Sequence, residues 1–100
     1  MKIQAEGDVL RISEITQLGA ANANSFRDEA RAALTDGQKH IEIDLSGTTF
    51  IDSCGLGALV ALHKTVGSHG GALRLLNPTP AVQQILELTR MHRIFDIVNK

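Results

Sequence analysis

The spacing of apolar residues predicts an α/β fold, with a mixed central β-sheet covered by helices. Three observations carry this. From His40 the apolar period is two: Ile41, Ile43 and Leu45 alternate with His40, Glu42 and Asp44, the signature of a strand with one buried face. Phe26, Ala30, Ala33 and Leu34 recur at helical spacing. Thr79-Pro80 supplies a capping hydroxyl followed by proline at a first helical position. The chain has 100 residues, and 1–100 reads as a single domain.

The elements follow in order. Lys2 to Glu6 and Val9 to Ile12 read as a hairpin turning at Gly7-Asp8, the reverse of the favoured Asp-Gly order. Gln17 to Ser25, rich in Gly, Ala and Asn, reads as a loop that ends in a helix start. Asn24 or Ser25 is the expected cap of that helix and Gly37 its expected stop, with Arg27, Asp28, Glu29 and Arg31 on the outer side. A turn at Ser46-Gly47-Thr48 and a short apolar piece lead into an apolar helical run, Leu56 to Val66, closed by Gly67 and Gly70-Gly71. Ala72 to Leu76 is a further strand. The helix begun at Thr79-Pro80 is expected to turn Val82, Ile85, Leu86 and Thr89 inward. Ile94 to Val98 is a last short apolar element.

Composition narrows the function. Lys and Arg number 10 against 11 Asp and Glu, a formal charge of −1, which lacks the basic excess that phosphate backbones select. Three Phe with no Trp or Tyr offer few stacking platforms, so nucleic acid is not an expected partner. A lone cysteine forms neither an internal disulfide nor a multi-thiolate zinc site, which fits a reducing compartment. His40, His63, His69 and His92 show no metal-ligand spacing, and no metal or cofactor is expected. Met1 to Asp8 contains no apolar run, and no stretch approaches the roughly 18 apolar residues of a membrane span. A cytoplasmic protein without membrane insertion is therefore expected.

The segment richest in chemistry is Phe50-Ile51-Asp52-Ser53-Cys54-Gly55-Leu56-Gly57. A strand ends and a helix begins across Asp52-Ser53. The first N–H groups of a helix lack internal partners and the peptide dipoles leave partial positive charge there, so a phosphoryl group on Ser53 would sit where anions are stabilised. Asp or Ser in this place is first of all a helix cap. Gly55 and Gly57 add no bulk, which permits close approach of another protein or close packing on the sheet. Cys54 reads either as a thiol activated at a helix N-terminus or as a small packed side chain. Ser53 and Cys54 do not match Gly-x-Ser-x-Gly, because Ile51 holds the first glycine position.

The run from Ile41-Glu42-Ile43-Asp44-Leu45 through Asp52-Ser53-Cys54-Gly55-Leu56-Gly57, continued by Gly70-Gly71, Leu73-Arg74-Leu75-Leu76 and Pro80 to Val98, resembles the STAS domain. Specifically it is similar to the anti-sigma factor antagonists of bacteria. The resemblance implies a STAS-like fold and a non-enzymatic regulatory role, with no catalytic residue. It implies phosphorylation of Ser53 by a partner that is both serine kinase and anti-sigma factor, reversal by a serine phosphatase, and partner binding through Asp52, Ser53, Cys54, Gly55, Leu56 and Gly57. A monomer or weak dimer is expected. Where members carry Gly-Glu-Leu-Asp after the second strand, this chain has Ser13-Glu14-Ile15-Thr16, and the loop beyond is longer by about two residues. The C-terminal helix of many members has no counterpart before Lys100. Thr16 in place of the aspartate gives weight to a second reading, a phosphorylation-independent STAS subunit docking on the ATPase of a bacterial lipid-transport ABC complex. A Cys54-dependent enzyme is a third.

Overall fold

The computed structural model describes residues 1–34 and 37–100. The hairpin forms as the sequence predicts: β1 (Lys2–Glu6) and β2 (Val9–Ser13) pair antiparallel across Gly7-Asp8. Gly7 takes φ +63° and Asp8 does not enter the left-handed region, so the glycine-first order suits a mirror-image turn with Gly leading. Then come β3 (Gln17–Leu18), α1 (Ala23–Ala33), β4 (His40–Asp44), β5 (Phe50–Ile51), α2 (Ser53–Gly67), β6 (Leu73–Leu76), α3 (Pro80–Leu88), a 3₁₀ turn at Met91–Arg93 and β7 (Asp96–Val98).

The main sheet has the order β1-β2-β4-β6-β7 and every pairing after the first is parallel. Parallel neighbours need crossovers, and α1, α2 and α3 supply them in turn. One face of the sheet is dry: Leu10, Ile12, Ile41, Ile43, Leu73 and Leu75 are fully buried and join Phe26, Leu59, Leu62, Val82 and Leu86 in one core. The other face carries Gln4, Arg11, Glu42, Arg74 and Asp96 in register, a row of alternating charge after the first residue. Arg74 lies 3.6 Å from Glu42 and 3.2 Å from Asp96. Cross-strand pairs of opposite charge suit a face in water, so the helices lie on one side of the sheet.

Several expectations change. The stretch read as a loop from Gln17 contains β3, and α1 starts at Ala23 with Asn22, not Asn24 or Ser25, at the cap position. The Asn22 side chain faces backwards: its Oδ1 accepts from the Gly19 N–H (2.9 Å) and its Nδ2 donates to the Gln17 carbonyl (2.8 Å). It braces the turn before the helix and leaves the helix without a side-chain cap. α1 ends at Ala33 with Leu34 extended, ahead of Gly37. Thr89 is exposed at the C-terminal end of α3, where its hydroxyl donates to the Ile85 carbonyl (2.8 Å), a use that competes with facing inward.

Thr48 is the buried polar residue that closes this end of the core. Its hydroxyl donates to the Ile15 carbonyl (2.6 Å), and its own carbonyl accepts from the Thr79 hydroxyl (2.7 Å) that also caps α3. The turn after β4 is thereby tied to the chain after β2 and to the start of α3. Thr48→Val preserves shape but strands the Ile15 carbonyl, and is expected to cost about 1–3 kcal/mol. Urea unfolding checks it, as a lowered midpoint at unchanged slope.

Candidate functional site

The two-residue strands β3 and β5 pair parallel, Gln17 with Phe50 and Leu18 with Ile51. This sets the chain after Leu18 beside the start of α2. Asp52, in extended conformation, is the cap of α2: its Oδ1 accepts from the Gly55 N–H at 3.0 Å. Its other oxygen, Oδ2, accepts from the Ala20 N–H at 3.0 Å, and its own N–H donates to the Leu18 carbonyl at 3.3 Å. One carboxylate therefore joins the turn before α1 to the first turn of α2. Gly19 makes the approach possible, since a Cβ there would meet Asp52 Oδ2 at 2.8 Å and the Phe50 ring at 2.9 Å.

The N–H groups of Gly55 first, and then Ala20, hold the Asp52 carboxyl below its ordinary range, outweighing the desolvation that pulls it up. The folded state thus binds this proton more weakly than the unfolded chain does. The stabilisation is present in full above the ordinary carboxylate pKa of about 4 and is lost as pH falls through the lower folded value. Asp52→Asn is expected to flatten the fall of stability below about pH 4 and leave its pH dependence at neutrality unchanged. Urea midpoints measured from neutral to acid pH for both proteins check this.

Ser53 is exposed at the first position of α2, and Cys54 is exposed after it. Gly55 and Leu56 are buried, whereas Gly57 is exposed. The six residues expected to form one contact surface therefore divide. Ser53, Cys54 and Gly57 face outward with Asp52 at their edge, while Gly55 and Leu56 join Leu59 and Leu62 on the inner face at helical spacing. The glycines divide likewise. A Cβ on Gly55 would lie 2.1 Å from the Leu18 carbonyl oxygen, so its bareness serves internal packing. A Cβ on Gly57 would meet nothing within 4 Å.

Phe50, which opens the segment Phe50 to Gly57 but is not among the six expected contact residues, shares this surface. Ile51 turns inward, so by strand alternation Phe50 turns outward, and 49% of it is exposed beside Gly19 and Asp52. The surface at the start of α2 thus combines an aromatic ring, a hydroxyl, a thiol and the bare backbone of Gly57. Two clefts of about 420 and 480 Å³ lie elsewhere, the first lined by Arg31, Lys39 and His69, the second by Glu14, Thr16 and Glu29. Ser53 stands on open surface, suited to contact with a macromolecule.

The STAS domain family matches residues 1–100, over this same order of strands and helices. The chain belongs to the STAS domain family. Several of its relatives carry the name anti-sigma factor antagonist. It is 34% identical over 94 residues to a Thermotoga maritima protein provisionally named an anti-sigma factor antagonist, covering 90% of this chain and 80% of the relative. A crystal structure of a Thermotoga maritima protein of that description superposes with a TM-score of 0.88 at 29% identity, covering 99% of this chain and 85% of the other. The fold is also that of the anti-sigma factor antagonist SpoIIAA in its unphosphorylated form (TM-score 0.86, 17% identity, 99% and 86% covered). Bacillus SpoIIAA in its phosphorylated form shares it too (TM-score 0.77, 16% identity, 99% and 89% covered).

Members of this family are regulatory and binding modules, and the other chemistry-bearing residues of this STAS domain take structural places. His40 Nδ1 accepts the Ala72 N–H at 3.0 Å, with Nε2 3.7 Å from Asp8. His63 sets its ring edge-on to Phe95 at 5.7 Å. His69 Nδ1 lies 2.9 Å from the Thr65 carbonyl, and His92 Nδ1 lies 3.4 Å from that of Leu86. Among the described residues no three His, Cys, Asp or Glu converge as a metal site, and no helix is long and apolar enough to cross a membrane. Thr16 is exposed, and its carbonyl accepts from the Thr49 N–H at 2.9 Å.

Proposed function

We propose that this STAS domain acts as an anti-sigma factor antagonist: unmodified, it binds an anti-sigma factor that is also a serine kinase, and phosphorylation of Ser53 ends that contact. A serine phosphatase restores it. The observation that carries the reading is the placement of Ser53, exposed at the first position of a helix whose cap is pinned by two N–H groups. A kinase reaches such a hydroxyl without unfolding anything. The product is tolerated, because the first-turn N–H groups and the helix dipole favour negative charge.

The binding surface does not tolerate it. A phosphate adds about −1.5 to −2 charges and a strongly hydrated group beside the Asp52 carboxylate, on the face that carries Phe50 and Gly57. A partner shaped to the bare surface must then bury two neighbouring anions or retreat. Ser53→Asp is expected to weaken binding of the anti-sigma kinase at least about tenfold, while Ser53→Ala binds as tightly as unmodified protein and stays bound when ATP is added. Titration calorimetry of the three proteins, with phosphopeptide mapping after incubation with kinase and ATP, tests this. Label on another residue, or equal affinity for Ser53→Asp and Ser53→Ala, overturns the reading. Equal affinity of both variants for a transporter ATPase would instead support the docking role to which Thr16 gives weight.

A further inference from the structure

β1 is an edge of the main sheet and pairs only with β2. The direction of its backbone groups follows from its neighbours. The Asp8 carbonyl accepts from the N–H groups of Lys39 (2.8 Å) and His40 (3.1 Å), so Asp8, Leu10 and Ile12 direct their backbone toward β4. Val9, Arg11 and Ser13 then direct theirs toward β1, where they stand opposite Glu6, Gln4 and Lys2. Those three residues of β1 use their N–H and C=O inside the hairpin, and Ile3 and Ala5 present theirs outward. Every residue of the strand except Ile3 is exposed. A strand edge in this state is a template for another strand.

We propose that the strand it takes is β1 of a second copy of this chain, paired antiparallel about a twofold axis at Gln4. In that register Ile3 of each copy stands opposite Ala5 of the other, and these are the residues whose N–H and C=O face outward, so both pairs exchange two hydrogen bonds. Lys2 of each copy stands opposite Glu6 of the other. The interface is isologous, and one register satisfies both ends at once. Centring the axis on Ile3 would set Lys2 against Gln4, and centring it on Ala5 would set Gln4 against Glu6. Only Gln4 as centre opposes the two charges of opposite sign. Within the chain neither Lys2 nor Glu6 has an ion-pair partner among the described residues. The pairing joins the two sheets into one and leaves Phe50, Ser53 and Gly57, which lie outside β1, free on both copies.

Sedimentation equilibrium of the full chain, with single and paired charge reversals, tests the proposal. Wild-type protein is expected to dimerise with rising concentration. Lys2→Glu alone, or Glu6→Lys alone, sets like charges opposite at both ends and is expected to weaken the dimer at least about tenfold. Lys2→Glu with Glu6→Lys restores opposite charges and is expected to return the affinity to within about threefold of wild type. Ala5→Pro removes an N–H that no bond inside the chain uses, and is expected to abolish the dimer while the thermal melt stays within a few degrees. A chain that remains monomeric up to about 1 mM overturns the proposal. So does a dimer that the single reversals leave intact, or one that the paired reversal fails to restore.

Discussion

Gly55→Ala is expected to destabilise the domain by at least about 3 kcal/mol and to lower its melting temperature by more than about 12 °C. Inside a helix the same change ordinarily stabilises, by up to about 1 kcal/mol, because alanine loses less backbone entropy. Here the new methyl would lie 2.1 Å from the Leu18 carbonyl oxygen and 2.8 Å from its carbon. That obstacle is backbone, held on its other side by the pairing of β3 with β5, so no side chain can swing aside. The first turn of α2 must lift away, and the Asp52 bonds to Gly55 and Ala20 stretch with it. Gly57→Ala, two residues on and in open space, has the opposite sign and is expected to raise the melting temperature by a few degrees. Thermal melts of the two variants give the comparison within one helix. Equal effects would remove the steric account.

Gly71→Ala is expected to be equally severe, again at least about 3 kcal/mol. A Cβ at this position would fall 1.7 Å from the Lys39 carbonyl oxygen, with the Val66 carbonyl 3.2 Å away on another side. Gly71 is the point where the chain leaving α2 is pressed against the chain entering β4. Its N–H donates to the Val66 carbonyl (2.8 Å), and the next residue bonds both ways: the Ala72 N–H to His40 Nδ1 (3.0 Å), the Ala72 carbonyl from the Ile41 N–H (3.0 Å). Making room for a methyl therefore opens the start of the β4–β6 pairing at the centre of the sheet. Gly70→Ala is the useful contrast. Gly70 sits at φ +78° with nothing near its missing Cβ, so the change meets conformational strain of about 1–2 kcal/mol and no clash. Urea midpoints order the variants wild type, Gly70→Ala, Gly71→Ala.

The fold was legible in the sequence wherever one residue's neighbours in the chain decide its surroundings. Ile41, Ile43 and Leu45 alternate because one face of β4 is dry, and Thr79-Pro80 starts a helix because capping is local. The start of α2 was legible for the same reason, since Asp52 reaches only three residues ahead to Gly55. What escaped is what depends on residues far apart. Gln17–Leu18 and Phe50–Ile51 are too short to show a period and become strands only by pairing with each other. Gly55 left approach by a partner and packing on the sheet equally open, because the Leu18 carbonyl it clears lies on β3, far away in the chain. The burial of Thr48 could not be read from its own turn, because its acceptor, the Ile15 carbonyl, is 33 residues away. Asn22 differs: its partners, Gly19 and Gln17, are three and five residues back, so its bonds are local but brace the preceding turn instead of capping the helix.

The fastening of Asp52 also bears on how a mark on Ser53 would be read. The serine stands on a footing with no slack: a carboxylate gripping two amides below it, and a glycine seated against a carbonyl behind it. A hinge needs give, and the two bonds of Asp52 and the packing at Gly55 oppose it. The message of the proposed modification is accordingly legible only to a molecule that touches it, and nothing has to travel across the domain. A switch of that sort works like a seal on a door rather than a lever behind it, and it resets as soon as the seal is removed.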